Sequence, residues 1–227
     1  MKYILENFDW GDHSQKVIDF NIKEIYENKI YEKFFEVEEN DIVVDIGASN
    51  GIFSYSILNK NPKKCFLVEP IKKQVELIQK NINDYPNEVL HGAITDLKYI
   101  DEIQWGNMIE KNVKTYTFKE YIEKYNLETI DFLKVDCEGG EYDIFKKENL
   151  EFLKKIPKIV IEFHLPKNTE MGLNCKFRYF RDNILKHFNN FKVTSIDGIN
   201  IEWDLYNEHF LEYYNEVLFY IDNRLKI

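Results

Sequence analysis

Apolar positions along this chain fall into two alternating rhythms. Short runs rich in β-branched and aromatic residues sit at Ile42–Val44, Cys65–Val68, Glu88–Ile94, Ile130–Val135, Lys158–Phe163, Lys192–Ile196 and Glu216–Ile221. Such runs predict strands, and the near-continuous ones predict strands buried on both faces. Between them the apolar spacing changes to that of a helix. Val17, Ile18, Ile22, Ile25, Tyr26, Ile30 and Phe34 predict one or two helices ahead of the first strand, with Ser14 as N-cap. Ile71, Val75, Ile78 and Ile82 follow i, i+4, i+7, i+11 and predict a helix over 71–83. Shorter helices are predicted at 52–58, 118–125 and 177–188. The stretch 95–113 breaks the alternation, and its Trp105-Gly106-Asn107 turn predicts a small hairpin. Asp197-Gly198 is a further tight-turn signal. Strands that alternate with helices predict an α/β, Rossmann-like fold: a mostly parallel seven-stranded sheet with helices on both faces. The expected organisation is an N-terminal helical extension or lid over 1–35 and one globular domain over 36–227. Trp10 and His13 are candidates for that lid, against the plainer reading of a surface turn packed on the first helix.

The stretch Asp41–Phe53 organises the rest. Strand Ile42–Val44 ends in Asp45, a loop Gly47-Ala48-Ser49-Asn50-Gly51 follows, and apolar Ile52 and Phe53 open a helix. Glycines let the backbone turn sharply and approach a ligand, and a helix N-terminus presents free N–H groups. The dinucleotide fingerprint G-x-G-x-x-G is not met, because Ser49 stands where its second glycine belongs. This weighs against an NAD-dependent oxidoreductase. Asp45 suits a cationic ligand end better than a pyrophosphate, and S-adenosylmethionine carries such an amine. Glu69 closes the next strand 24 positions later (69 − 45), and Pro70 stops it. A carboxylate there suits ribose hydroxyls. Ala93 and Ile94, at the end of the third strand, offer backbone and apolar atoms to an adenine. A strand-turn-helix with no ligand is the alternative reading of the whole unit.

A second informative stretch is Asp136-Cys137-Glu138-Gly139-Gly140-Glu141, at the end of strand Ile130–Val135. Asp136, Glu138 and His164 are candidate bases for an acceptor hydroxyl, and Glu162 is a carboxylate inside an apolar strand that must be paired or reach the site. Each has a structural alternative. Asp136 would cap the next helix, Glu138 would pair with a surface lysine, His164 would be a hydrogen-bonded structural histidine, and Glu141 would favour the helix N-terminus through its dipole. Cys137 reads as a small buried apolar residue. Asp136, Glu162 and His164 also offer oxygen and nitrogen ligands to a divalent metal such as Mg²⁺, though their spacing does not demand one. Asp45, Glu69, Asp136, Glu162 and His164 all fall at predicted strand ends, where such sheets bind ligands.

Composition narrows the partners. The 227 residues carry a formal net charge of −10, with lysines interleaved among acids, which argues against nucleic acid. Nothing approaches the roughly 18 apolar residues of a membrane span, and no signal peptide is evident at the N-terminus. Three cysteines without metal spacing fit a reducing, cytoplasmic setting. The 15 Tyr and 17 Phe are expected mostly in the core, with Tyr206, Tyr213 and Tyr214 suited either to stacking on a sugar or to ordinary packing.

The blocks Val43–Ser54, Leu67–Pro70, Gly92–Asp96, Ile130–Phe145 and Ile159–His164 together resemble the FkbM family of S-adenosylmethionine-dependent methyltransferases. The match runs from about Glu36 to His164. Ser49-Asn50 departs mildly from the family's usual Gly-Ala-Asn-x-Gly loop. The resemblance implies a class I methyltransferase fold with a reversed seventh strand, supplied by Glu216–Ile221. It also implies O-methylation (EC 2.1.1.-), often of a sugar hydroxyl. By position, Asp45, Gly47, Ala48, Ser49, Asn50, Gly51, Phe53, Glu69, Pro70, Ala93, Ile94 and Asp136 would contact the cofactor, with Asp136 and Glu138 beside the reacting methyl. The expected acceptor is a small molecule or saccharide. Methylation of a non-sugar small molecule, or cofactor binding without turnover, is the alternative. The oligomeric state is left open.

Overall fold

The computed structural model describes residues 5–165 and 171–224. Residues 1–4, 166–170 and 225–227 lie outside the described residues. The chain divides into two compact units, residues 1–93 with 97–115 and residues 94–96 with 116–227. Seven strands form the mostly parallel sheet that the sequence alternation predicts.

In the first unit, helix α1 (Gln15–Asn21) follows Ser14, whose extended backbone makes it the N-cap without a side-chain bond. The helical spacing continues as a π-helical stretch (Ile22–Glu27) and a 3₁₀ turn (Ile30–Glu32). Strand β1 (Ile42–Ile46) is buried from Val43 to Ile46, as a strand covered on both faces must be. Helix α2 (Ile52–Ser56) opens directly at the glycine loop. Strand β2 (Lys64–Glu69) runs parallel to β1, Asp45 opposite Leu67. Helix α3 (Lys72–Asn81) buries Val75, Leu77 and Ile78, and β3 (Asn87–His91) pairs in parallel with β2.

The expected third strand over Glu88–Ile94 is corrected: it stops at His91, and Ala93–Ile94 form a separate two-residue strand, β4. The cause is local. Gly92 donates its N–H to Glu69 O, while Ala93 donates to Lys114 O. The predicted hairpin is present as β5 (Ile100–Trp105) and β6 (Met108–Val113), followed by β7 (Thr115–Tyr116).

The second unit continues with α4 (Phe118–Lys124), held by a complete capping box between Thr117 and Glu120. Strand β8 (Phe132–Val135) is wholly buried, and helices α5 (Glu141–Ile144) and α6 (Leu150–Leu153) are short. Strand β9 (Lys158–His164) runs parallel to β8. Helix α7 (Met171–Tyr179) continues as a π-helical and a 3₁₀ stretch to His187. Strand β10 (Phe191–Ser195), helix α8 (Phe210–Tyr213) and strand β11 (Glu216–Asp222) complete the chain. Strand β11 is antiparallel to both β9 and β10, which is the reversed strand expected. The abundant phenylalanines do form core. Phe163 lies 4.3 Å from Phe180 between ring centres, and Phe177 stacks on Phe210 at 5.6 Å.

Gly51 explains why α2 begins where it does. Its φ is +84°, and a Cβ there would lie 3.3 Å from Ile78 Cγ1. The glycine therefore serves the turn and lets α3 pack close to the loop. Gly51→Ala is expected to cost about 1–3 kcal/mol, read as a lower urea midpoint with an unchanged m-value. A midpoint equal to wild type would show that the loop relaxes without strain.

Candidate active site

The glycine loop of the first unit is a tightly held structure. Asp45 is fully buried, and its Oδ2 accepts a hydrogen bond from Ser54 Oγ at 2.9 Å. Gly47 and Ala48 both donate their N–H groups to Val68 O at 3.0 Å. Glu69 closes the loop from the other strand. Its Oε2 accepts from Ser49 N at 2.9 Å, and its Oε1 accepts from Ile71 N at 2.8 Å. Glu69 is thus first a clamp on the loop backbone. Ser49 accepts a left-handed backbone (φ 51°) to complete the turn.

Asn50 is 1% exposed, and neither polar atom of its side-chain amide has a partner among the described residues. An amide buried in that state is costly. It offers two N–H donors and a carbonyl oxygen to any polar group that reaches the loop. With Asp45, Gly47 and Glu69 beside it, the residue set fits a nucleoside-bearing cofactor. Phe53 packs edge-on against Tyr31 at 5.4 Å, and so serves the core. Pro70 O accepts from His91 Nε2 at 3.0 Å if that nitrogen carries the proton. Trp10 and His13 are joined to each other, with His13 Nδ1 on Trp10 O at 2.5 Å and its ring 5.6 Å from that of Trp105.

The second unit gathers Asp136, Glu138, Glu162 and His164. Strand β9 delivers Glu162 and His164 on one face, two residues apart. Strand β8 does the same for Lys134 and, just past its end, Asp136. His164 is the hub. Its Nδ1 lies 3.0 Å from Glu141 Oε1, and its Nε2 lies 3.5 Å from Glu138 Oε2 and 3.9 Å from Asp136 Oδ1. Asp136 Oδ2 in turn lies 3.3 Å from the buried Lys134 ammonium. Glu141 is fully buried, and the same Oε1 accepts from Cys137 N at 2.9 Å. Its role is therefore a buried partner of His164 in addition to a place in the first turn of α5.

Burial by itself would lower the His164 pKa. The hydrogen bond and charge of Glu141, then the charges of Asp136 and Glu138, outweigh it and raise the pKa to about 10. A pKa raised in this way favours the imidazolium at neutral pH, which suits His164 to a cationic role more than to that of a base. Glu138 stands out differently. Its side chain is 66% exposed, and its carboxyl is raised above the usual range by desolvation, with Asp136 and Glu141 adding to the rise and His164 opposing it. It occupies the left-handed region (φ 54°) at the tip of the turn. Gly139 follows with φ 101°, and Gly140 leaves no room for a side chain, since a Cβ would lie 2.9 Å from Ile94 O and 3.0 Å from Cys137 Sγ. The glycine pair thus fixes how the turn presents Glu138.

Asp136, Glu162 and His164 offer ligand atoms within 4.8 Å of one another. Two carboxylates and an imidazole suit a hard divalent ion, which would take the place of the proton these carboxylates favour on His164.

Lys134 and Glu141 escaped the reading from sequence. The i, i+2 spacing of Lys134 and Asp136 carried a usable signal for the first. Glu141 had none, because its contact with His164 spans 23 positions.

The family model described as the methyltransferase FkbM domain matches residues 45–220. An uncharacterized RNA methyltransferase of Nanoarchaeum equitans (strain Kin4-M) is 28% identical over 137 residues, 57% of this chain, and the match spans 29% of that relative's length. A candidate rRNA methylase of Clostridium thermocellum superposes with a TM-score of 0.50 at 11% identity, covering 93% of this chain and 97% of that one. Aeropyrum pernix fibrillarin, solved with natively bound S-adenosyl-L-methionine, gives 0.48 at 12% identity, covering 85% and 71%.

The His164 arrangement has a signature in pH. Its folded pKa is raised from an ordinary 6.5 to about 10. The stability it adds is fully present below about pH 6.5 and is lost as pH rises through 10, on the order of a few kcal/mol. Urea midpoints of wild type are expected to fall across that window more steeply than those of His164→Gln. Parallel slopes for the two proteins would mean that His164 is neutral in the fold.

Proposed function

This chain belongs to the methyltransferase FkbM family, and we propose that it catalyses methyl transfer from S-adenosylmethionine to a hydroxyl of a small acceptor, a sugar in a glycan or glycoconjugate. The observation that carries the reading is the exposed Glu138 carboxylate, 3.5 Å from a His164 ring whose pKa is raised to about 10. When bound, S-adenosylmethionine supplies a methyl group already activated on a sulfonium. The chain's own residues have to orient the acceptor and remove its proton.

In this reading Glu138 takes the hydroxyl proton. Its raised carboxyl is better matched to that task than an ordinary one. The acceptor oxygen bonds to the methyl carbon as the carbon–sulfur bond breaks, and the sulfur keeps the electron pair. Negative charge develops on the oxygen before the bond is complete, and the His164 imidazolium is a fixed cation placed to offset it. Asp136 and Glu141 act through His164, holding its ring and its proton. Lys134 balances Asp136, so this buried group of acids does not repel itself apart. In the first unit Asp45, the Gly47–Gly51 loop and Glu69 are assigned to the cofactor, with Asn50 supplying an amide that has no other partner.

A second reading is an RNA acceptor, favoured by the name of the relative from Nanoarchaeum equitans. The formal net charge of −10 opposes it, because binding phosphates requires clustered cations. Among the described residues no helix is long and apolar enough to cross a membrane.

Two measurements test the reading. S-adenosylhomocysteine at 100 times its Kd adds about 2.7 kcal/mol, which is expected to raise the unfolding midpoint by roughly 5–11 °C. NAD should give no shift. A shift with NAD alone would sink the cofactor assignment. Separately, Glu138→Gln is expected to lower kcat by roughly 10²–10⁴-fold while leaving the S-adenosylhomocysteine shift intact. The pH–rate profile should rise as Glu138 deprotonates and fall near 10, where His164 loses its proton. Full activity in Glu138→Gln would move the base elsewhere.

A further inference from the structure

Beyond the cluster around His164, the second unit holds a cleft of about 440 Å³ that the mechanism does not use. Its position is informative. Glu216, in its wall, stands directly opposite His164 in the antiparallel pairing of β9 with β11. The neighbouring wall residue, Asn215, accepts at its O a hydrogen bond from Leu165 N at 2.5 Å. The negative charge of Glu216 also acts on the Glu138 carboxyl. The cleft therefore begins where the proposed base stands.

Its chemistry is mixed in a particular way. Trp203 and Tyr213 line it while remaining 80% and 64% exposed, an expensive state for large rings on a soluble surface. Asp197, Asn200, Asn215 and Glu216 add polar groups to the same wall. None of the eleven lining residues is a lysine or arginine. The rim is also preset. Gly198, at φ 78°, turns the chain back after β10, with Ser195 N donating to Ile199 O at 2.9 Å and Ile199 N to Ser195 Oγ at 3.2 Å. Tyr214 Oη, next to Tyr213, donates to the buried Asp204 Oδ2 at 3.2 Å. A few convergent polar groups with aromatic walls make an ordinary small-ligand site.

We propose that this cleft is the acceptor subsite, and that it takes an uncharged saccharide ring, its apolar face on Trp203 or Tyr213 and its hydroxyls on Asp197, Asn215 and Glu216. The assignment rests on the methyl-transfer reading above for its purpose, and on the cleft alone for its ligand. A pyranose has one face of C–H groups and a rim of hydroxyls, which matches a wall of rings and carboxylates. A phosphate-bearing acceptor matches poorly, because two acids face it and no cation does. The size suits one or two sugar rings within the range of small-ligand pockets, roughly 300–1,000 Å³.

The experiment uses the full chain and separates the two readings. Methyl glycosides of glucose, galactose, mannose and rhamnose are tested as probes by saturation-transfer NMR, with an RNA hairpin as a contrast. S-adenosylhomocysteine is titrated in parallel by thermal shift. Wild type is expected to bind at least one glycoside through the protons of one ring face. Trp203→Ala and Tyr213→Ala should each weaken that binding roughly tenfold or more, and Asp197→Asn should alter which glycoside is preferred. All three variants should keep the wild-type S-adenosylhomocysteine shift, since none of the three residues is among those assigned to the cofactor. Glycoside binding that is indifferent to Trp203 and Tyr213 would overturn the cleft and leave methyl transfer standing. Binding of the hairpin with none of the glycosides would overturn the saccharide assignment. Loss of the cofactor shift in wild type, with Trp203-dependent glycoside binding retained, would instead support the cleft and remove methyl transfer.

Discussion

The Glu141–His164 contact is the constraint on which the second unit's chemistry depends. A fully buried carboxylate is tolerable only with a cation or several donors against it. Glu141 has both, in the His164 ring and the Cys137 N–H. The bond therefore joins the tip of β9 to the turn that follows β8 and fixes two charges at once. It makes His164 an imidazolium, and that cation in turn lets Asp136 and Glu138 stand close together as carboxylates. Without the imidazolium, three acids on one short turn would repel one another, and at least one would have to take up a proton. The fold thus sets the protonation states before any substrate arrives.

The first unit solves a related problem with backbone groups in place of a histidine. Its loop leaves several N–H groups pointing outward in a tight turn, and each must find an acceptor. Val68 O and the Glu69 carboxylate provide most of them. A residue expected to hold ribose is therefore also the reason the loop has its shape. The two duties are compatible, since a carboxylate accepts more than two hydrogen bonds. They also mean that removing Glu69 would disturb the loop and any bound ligand together, so loss of binding in such a variant would not isolate a ribose contact. The Asn50 amide is the cleaner probe, because no bond to a described residue is lost with it.

Much of this was legible in the chain. The alternation of apolar runs located all seven strands of the sheet, and Val43–Ser54 and Ile130–Phe145 marked both functional turns. Periodicity failed just after Gly92, where Ala93 N leaves the β2 ladder for Lys114 O. That competition lies outside any local window. The role of Glu141 was hidden for the same reason. Glu141 read as a first-turn acid favouring the helix dipole, and its value comes from a histidine 23 positions away. His164 was weighed as a base because an isolated imidazole titrates near neutrality; the number of carboxylates around it, which reverses the conclusion, is a property of three segments folded together.

The charge of the molecule bears on the acceptor in one further way. A net charge of −10 is spread over the whole chain, and a basic groove is compatible with an acidic total when cations cluster. What counts is the sign of the surface next to the reacting group. There the cations are Lys134, which is buried and paired with Asp136, and His164, which is shared among three carboxylates. Both are already committed to neighbouring acids, and the cleft beside them adds two more acids without a base. A polyanionic acceptor would have to approach this surface against its field, with no released counterions to drive binding. A neutral polyol meets no such barrier, and carboxylates are good acceptors for its hydroxyl protons. On the proposed reading, the same acidity that disfavours phosphate is what would hold and deprotonate a sugar hydroxyl.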